Sequence, residues 1–310
     1  MTLHSYSPAD ISAAVSVRRA RRLLEHALLK GFRPEADPAR VTVPAGSGHM
    51  LLMPSVLGDW TGTKIATVSP DNPSKGRPRI QAMYLLLGTD TLTPHAIMEG
   101  NALTALRTPA ISAVAVDHLA PEKVDRMVVF GTGLQAGTHI AAMAEVRDIG
   151  EVIVCGRHDT RIDATVTAAR DLGLTARPGV PEDVADASLI VCCTSAPSPL
   201  FDGALVPDHA VVVAMGSHEP EYRELDTQLV ARSQVFVEDR ATALREAGDV
   251  IQPLREGAIT ETDVHELVDL VHGRIEADTT RPRVFKCVGM SWEDLAVAVG
   301  VVDPTIMPDD

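Results

Sequence analysis

Arg126-Met-Val-Val-Phe-Gly-Thr-Gly-Leu-Gln-Ala-Gly137 decides the reading of this chain. The apolar run at residues 127–130 reads as a buried strand, and it feeds directly into Gly131-x-Gly133-x-x-x-Gly137. Residues 134–146, rich in alanine, read as the helix that follows. Strand, glycine turn and helix together make a site for a pyrophosphate. The glycines let the backbone turn tightly and approach the phosphates, while the helix N-terminus offers N–H donors and a partial positive charge. The dinucleotide fingerprint wants a small residue three positions after its second glycine, and Ala136 stands there with Gly137 beside it. A glycine turn in an ordinary loop is the alternative for this motif alone.

The residues downstream support the nucleotide reading. Glu151-Val-Ile-Val-Cys155 is a second buried strand, in place after one crossover helix. The end of that strand selects the cofactor, because an acid there accepts the ribose hydroxyls of NAD and a basic residue accommodates the extra phosphate of NADP. Here it reads Cys155-Gly156-Arg157-His158, with Arg161 close behind and Asp159 only after the basic pair. The expectation is a 2′-phosphate pocket for NADP(H) built from Arg157, His158 and Arg161; the competing reading is a solvated loop.

Composition bounds what else the chain does. Its 310 residues are enough for two domains, and 45% hydrophobic with 23% charged residues is ordinary for a soluble globular protein. A formal net charge of −14 argues against general nucleic-acid binding. No apolar run approaches the roughly 20 residues that span a membrane, and the N-terminus lacks the pattern of a signal peptide. Cys155, Cys192, Cys193 and Cys287 show no zinc spacing and read as reduced thiols, so a cytoplasmic location without a bound metal is expected.

Around the nucleotide motif the chain changes character. Residues 8–30 read as one helix, with Ser7 as N-cap, Pro8 at the first helical position, Asp10 in the first turn and Gly31 as stop. Between residues 38 and 98, short strands at 41–43, 49–53, 63–68, 80–87 and 91–98 alternate with turn chemistry and predict an antiparallel sheet. A helix at 102–119 follows. Apolar strands at 127–130, 152–155, 189–193, 211–215 and 235–237 then alternate with helical segments, which predicts a parallel sheet covered on both faces. The last segment, Arg283-Val-Phe-Lys-Cys-Val-Gly-Met-Ser-Trp-Glu-Asp-Leu295, reads as strand, glycine turn and a helix that returns to the first domain.

Several pieces together resemble the ornithine cyclodeaminase/mu-crystallin family: Arg40 with Pro44; Met53-Pro-Ser55; Lys64 followed by Ser69-Pro-Asp-Asn72; Glu99-Gly-Asn-Ala-Leu-Thr-Ala-Leu-Arg-Thr108; Gly131-Thr-Gly-Leu-Gln-Ala136; Glu224-Leu-Asp226; and Val284-Phe-Lys-Cys-Val-Gly289. They occur in family order over nearly the whole chain. The resemblance implies an α/β fold with a Rossmann-type parallel sheet domain (121–287) and a discontinuous antiparallel α+β domain (1–120 and 288–310) for substrate binding and homodimer formation. It also implies that Arg40 and Arg107 hold a substrate carboxylate, with Met53 in the same pocket, and that Lys64 serves the reacting nitrogen. Expected cofactor contacts are Thr108, Gly131, Gly133, Leu134, Gln135, Ala136, Arg157, His158, Arg161, Thr194, Met215, Gly216, Lys286 and Gly289. The chemistry of the residues agrees: arginine presents a planar fork to a carboxylate, and a desolvated lysine transfers protons. Taken alone, Arg107 in its apolar helix also reads as a snorkelling or ion-paired side chain, and Lys64 as a solvent-facing strand residue. Cyclodeaminases carry an acid where this chain has His218, which points away from cyclodeamination and toward the ketimine-reductase branch. His218 would donate a proton, orient water or fill space. The expected activity is NADP(H)-dependent reduction of a small 2-imino acid. An ammonia lyase and a non-catalytic NADPH-binding protein are the alternatives.

Overall fold

In the computed structural model the described residues are 3–216 and 218–306; Met1, Thr2, Ser217 and the end of the expected 288–310 segment, residues 307–310, lie outside them. The chain divides into two compact units, Met1–Ile111 with Met290–Asp310, and Ser112–Gly289. The first boundary falls inside a helix, just past Pro109, rather than at residue 120. Proline removes a backbone donor there, so the helix loses one internal hydrogen bond close to the division.

The first unit opens with β1 (His4–Tyr6), α1 (Pro8–Ala14) and α2 (Val17–Leu29). Ser7 caps α1 through a capping box with Asp10, as its sequence predicts. The single helix expected over 8–30 is two helices. Val15 is extended, and the Ser16 hydroxyl accepts from the Arg19 N–H at 3.1 Å, so a second N-cap restarts the helix. Then come β2 (Val41–Ala45), β3 (Gly48–Leu57), β4 (Trp60–Val68), β5 (Ile80–Gly88), β6 (Pro94–Glu99) and α3 (Gly100–Leu119). The sheet order is β1-β6-β5-β4-β3-β2. Strands β2 to β6 form the expected antiparallel meander, but β1 joins β6 in parallel, so the sheet is mixed. Three residues at the chain start carry too little pattern to announce that strand.

The second unit contains β7 (Lys123–Phe130), α4 (Leu134–Val146), β8 (Asp148–Cys155), α5 (Asp159–Asp171), β9 (Ala176–Pro178), β10 (Leu189–Cys192), β11 (Val211–Ala214) and α6 (Thr227–Arg232). After them come β12 (Gln234–Val237), α7 (Arg240–Glu246), α8 (Gly248–Arg255), β13 (Val264–Glu266), α9 (Leu267–Val271) and β14 (Arg283–Lys286). Its strands are all parallel, in the order β13-β12-β14-β11-β10-β7-β8-β9. Residues of β10, β11, β12 and β14 are buried throughout, as strands covered on both faces must be. The chain then returns to the first unit as α10 (Ser291–Val302), which packs on α2, β3, β4 and β5.

Candidate active site

Strand β7 delivers the glycine turn at its C-terminal end, where a parallel sheet binds nucleotides. Gly131 adopts φ +119°, and a Cβ there would lie 2.5 Å from the Cys193 carbonyl oxygen, so the turn tolerates no side chain. Gly133 is the N-cap of α4 and places no side chain before that helix. A cavity of about 660 Å³ opens beside the turn. Gly131, Gly133, Arg157, His158, Arg161 and Thr194 all line it, so the structure brings the glycines and the expected phosphate-binding cations to one place. Leu134 borders a second cavity of about 410 Å³ with Gly133 and Arg161. Gln135 and Ala136 occupy the first turn of α4, with Ala136 buried. A glycine-only turn, a following helix and three basic side chains fit a dinucleotide phosphate chain.

Beneath this cavity lies a buried polar network that the sequence did not announce. Glu224 accepts from the Thr194 N–H at 2.8 Å, the Thr194 hydroxyl at 2.7 Å and the Gly216 N–H at 2.7 Å. Asp249 accepts from the backbone N–H groups of Glu224 and Leu225, and stands 3.0 Å from the Lys286 ammonium. Lys286, expected to contact cofactor, is fully buried with its ammonium committed to Asp249. Burial disfavours its charge, but Asp249 and Glu224 outweigh that, and its pKa rises above the ordinary lysine value. The Gly289 N–H donates to Glu238 at 3.0 Å. Met215 and His218 are half-buried in the segment after β11. The network fixes the loops after β10 and β11, which carry Thr194 and Gly216.

The first unit holds the other expected residues. Met53, Lys64 and Tyr84 sit opposite one another across β3, β4 and β5, on the face that α10 covers. Lys64 is buried, its Nζ 2.6 Å from Asp294 Oδ2 and 3.2 Å from the Thr104 hydroxyl. Arg107 enters from α3 and donates to Glu293 Oε2 at 2.8 Å, with its Nε 3.4 Å from Asp294 Oδ1. Asp294 therefore bridges the two cations. Burial lowers the Lys64 pKa to about 8 against the opposing pull of Asp294. Thr108 follows Arg107 on α3 and is buried. Arg40 lies half-buried just before β2.

A substrate carboxylate as the sole partner of Arg107 would leave a positive site in the free protein. The structure corrects this: Glu293 and Asp294 balance Lys64 and Arg107 within the protein. The surface reading of Lys64 is also overturned, since its residue is 3% exposed. The sequence reading missed Glu293 and Asp294 because acids in the first turn of a helix are common for dipole reasons. The available signal was their place in front of a helix otherwise made of apolar residues. Tyr84 was hidden in the same way, as one aromatic in a strand.

A parallel sheet with a glycine-turn cavity, joined in one chain to a mixed sheet bearing a buried Lys–Arg–carboxylate cluster, defines a two-unit dinucleotide-binding protein. The chain belongs to the ornithine cyclodeaminase/mu-crystallin family, whose model matches residues 9–306. It is similar to ketimine reductase mu-crystallin of Rattus norvegicus, at 33% identity over 86% of this chain and 84% of that one. Its fold is similar to Thermococcus litoralis Delta(1)-pyrroline-2-carboxylate reductase solved in complex with NADH and L-proline (TM-score 0.91, 28% identity, 96% of each chain). It is also similar to an archaeal alanine dehydrogenase dimer with bound NAD (TM-score 0.91, 25% identity, 97% of this chain and 95% of that one).

Proposed function

We propose that this protein is an oxidoreductase that reduces the C=N bond of a small 2-imino acid, with a cyclic ketimine carboxylate as the leading substrate class and NADPH as the reductant. The observation that carries this reading is the buried meeting of Lys64 and Arg107 around Asp294. A bound nicotinamide cofactor supplies the hydride. The glycine turn at Gly131 and Gly133 and the start of α4 would hold its pyrophosphate, and Arg157, His158 and Arg161 its 2′-phosphate.

The chain's own residues bind, orient and protonate. The guanidiniums of Arg107 and Arg40 hold the substrate carboxylate, in exchange for part of the Arg107–Glu293 pairing. Lys64, with a pKa of about 8, is charged at neutral pH yet close enough to release its proton to the nitrogen. The Asp294 carboxylate fixes the ammonium in place and favours its protonated form until the nitrogen takes the proton. Positioning of the imine accounts for most of the rate gain in this scheme. Run backwards, the same groups oxidise an amino acid.

NADH is the competing cofactor, favoured by the solved relatives that carry NADH or NAD. The basic Arg157-His158 end of β8 and its place on the cavity support NADPH. A homodimer is part of the proposal. Val41, Leu52, Ile65 and Met83 form one row across β2 to β5 on the sheet face away from α10, and Val41, Ile65 and Met83 are exposed. Such a face needs a cover, and a relative is described as a dimer. Four free cysteines are consistent with a cytoplasmic location. Loss of nicotinamide absorbance, followed over a panel of cyclic 2-imino acids and of 2-oxo acids with amines, tests the activity. NADPH and NADH run in parallel decide the cofactor, and binding without turnover of any imine would overturn the proposal.

A further inference from the structure

Tyr84 lies beside Lys64 in the β4–β5 register, on the same sheet face as Met53, and is fully buried. Among the described residues its hydroxyl has no hydrogen-bond partner. On the same face, Ser55 faces Gly62 across β3 and β4, and its hydroxyl is likewise buried without a partner among the described residues. Gly62 lies between them, and a Cβ at Gly62 would stand 2.4 Å from the Tyr84 oxygen. The strand thus gives up a side chain to admit the phenol.

This arrangement is costly unless the hydroxyl is used. Phenylalanine would fill the same volume with no desolvated polar atom, and buried polar groups are nearly always hydrogen-bonded. Around it, Lys64 is paired with Asp294, and Arg107 with Glu293. Burial, with Asp294 and then Asp37 nearby, holds the phenol well above its ordinary pKa, so it keeps its proton and acts as a donor. A neutral donor next to a charge-balanced Lys–Arg–carboxylate cluster suits an anionic oxygen brought in by a ligand.

We infer that Tyr84 is a further substrate-binding residue, whose phenol donates to a carboxylate oxygen of the imino acid, with Gly62 making its room and Ser55 extending the polar wall. This rests on the imine-reductase reading above, and it assigns selectivity for 2-carboxylates to a group besides the two arginines.

The test compares Tyr84→Phe with wild type, both as full-length protein with saturating NADPH and a five-membered cyclic 2-imino acid, and adds L-proline binding by calorimetry with oxidised cofactor. Tyr84→Phe should raise KM and the L-proline Kd about tenfold, the loss expected for one hydrogen bond to a charged acceptor. Its kcat and NADPH affinity should stay within about twofold of wild type. Its Tm should hold or rise, because an unmet buried hydroxyl is removed. A variant whose KM and L-proline Kd match wild type overturns the Tyr84 assignment alone. Wild-type protein that neither reduces the imino acid nor binds L-proline overturns the functional reading, and the Tyr84 assignment with it.

Discussion

Arg107 and Lys64 show how a side chain's role follows from what is buried with it. Because Glu293 shares the Arg107 guanidinium, Arg107→Ala would remove the proposed substrate contact and also break a buried ion pair, a loss of about 3–5 kcal/mol for such pairs. The variant should lose two to three orders of magnitude in kcat/KM for an imino acid and melt at lower temperature. Arg107→Lys should recover part of both, since an ammonium cannot reproduce the planar fork. Paired measurements of Tm and kcat/KM on one preparation check this; near-normal kcat/KM per folded molecule would remove Arg107 from the site. Lys64 sets a pH dependence. In the proposed mechanism reduction needs its protonated form, so kcat/KM should be level below pH about 8 and fall above it, while amino-acid oxidation should rise through the same range. A flat profile for reduction from pH 7 to about 9.5 would exclude Lys64 as the proton donor.

At the scale of elements, the proposed preference for NADPH rests on the turn from β8 into α5. Arg157→Asp should weaken NADPH by at least about tenfold, given roughly 1.5–3 kcal/mol for a charge-assisted hydrogen bond, and should improve NADH relative to it. Titration of both cofactors checks this, and a wild type that prefers NADH would refute the 2′-phosphate reading. Helix α4 carries a separate pH effect on stability. Its His139 is fully buried, 3.0 Å from the Ser112 hydroxyl and 2.8 Å from the Gln135 carbonyl oxygen, and burial lowers its pKa from 6.5 to about 4. Below pH 6.5 the unfolded chain binds the proton that the folded chain refuses, so stability is complete above that pH and falls as pH drops toward 4. The loss amounts to about 3 kcal/mol at most. In His139→Gln the part of the Tm slope that His139 causes between those pH values should vanish, as calorimetry over that range would show.

For the whole molecule, the apolar row Val41–Leu52–Ile65–Met83 predicts association through the mixed sheet. Sedimentation at micromolar concentration should give twice the 33.0 kDa chain mass. Ile65→Asp with Met83→Asp should shift it to monomer, because each charge would have to be buried unpaired. A stable wild-type monomer would count against the dimer. The formal net charge of −14 spreads repulsion over the surface, so added salt should favour association.

Local chemistry made much of this chain legible. The parallel-sheet strands read as apolar runs because both of their faces are buried, and Gly131 announced its turn because no other residue adopts its φ without collision. Ser7, Pro8 and Asp10 marked the start of α1 for reasons contained within one helical turn. What the tertiary structure alone decided is who meets whom. Asp294 reaches Lys64 and Glu293 reaches Arg107 only because the chain returns to the first unit and lays α10 on the sheet, a juxtaposition across some two hundred residues with no local signature. Glu224, Asp249 and Lys286 likewise came from separate segments, and burial rather than sequence turned ordinary surface residue types into one network. A charge's partner is set by the path of the backbone, and its pKa by the water that path excludes.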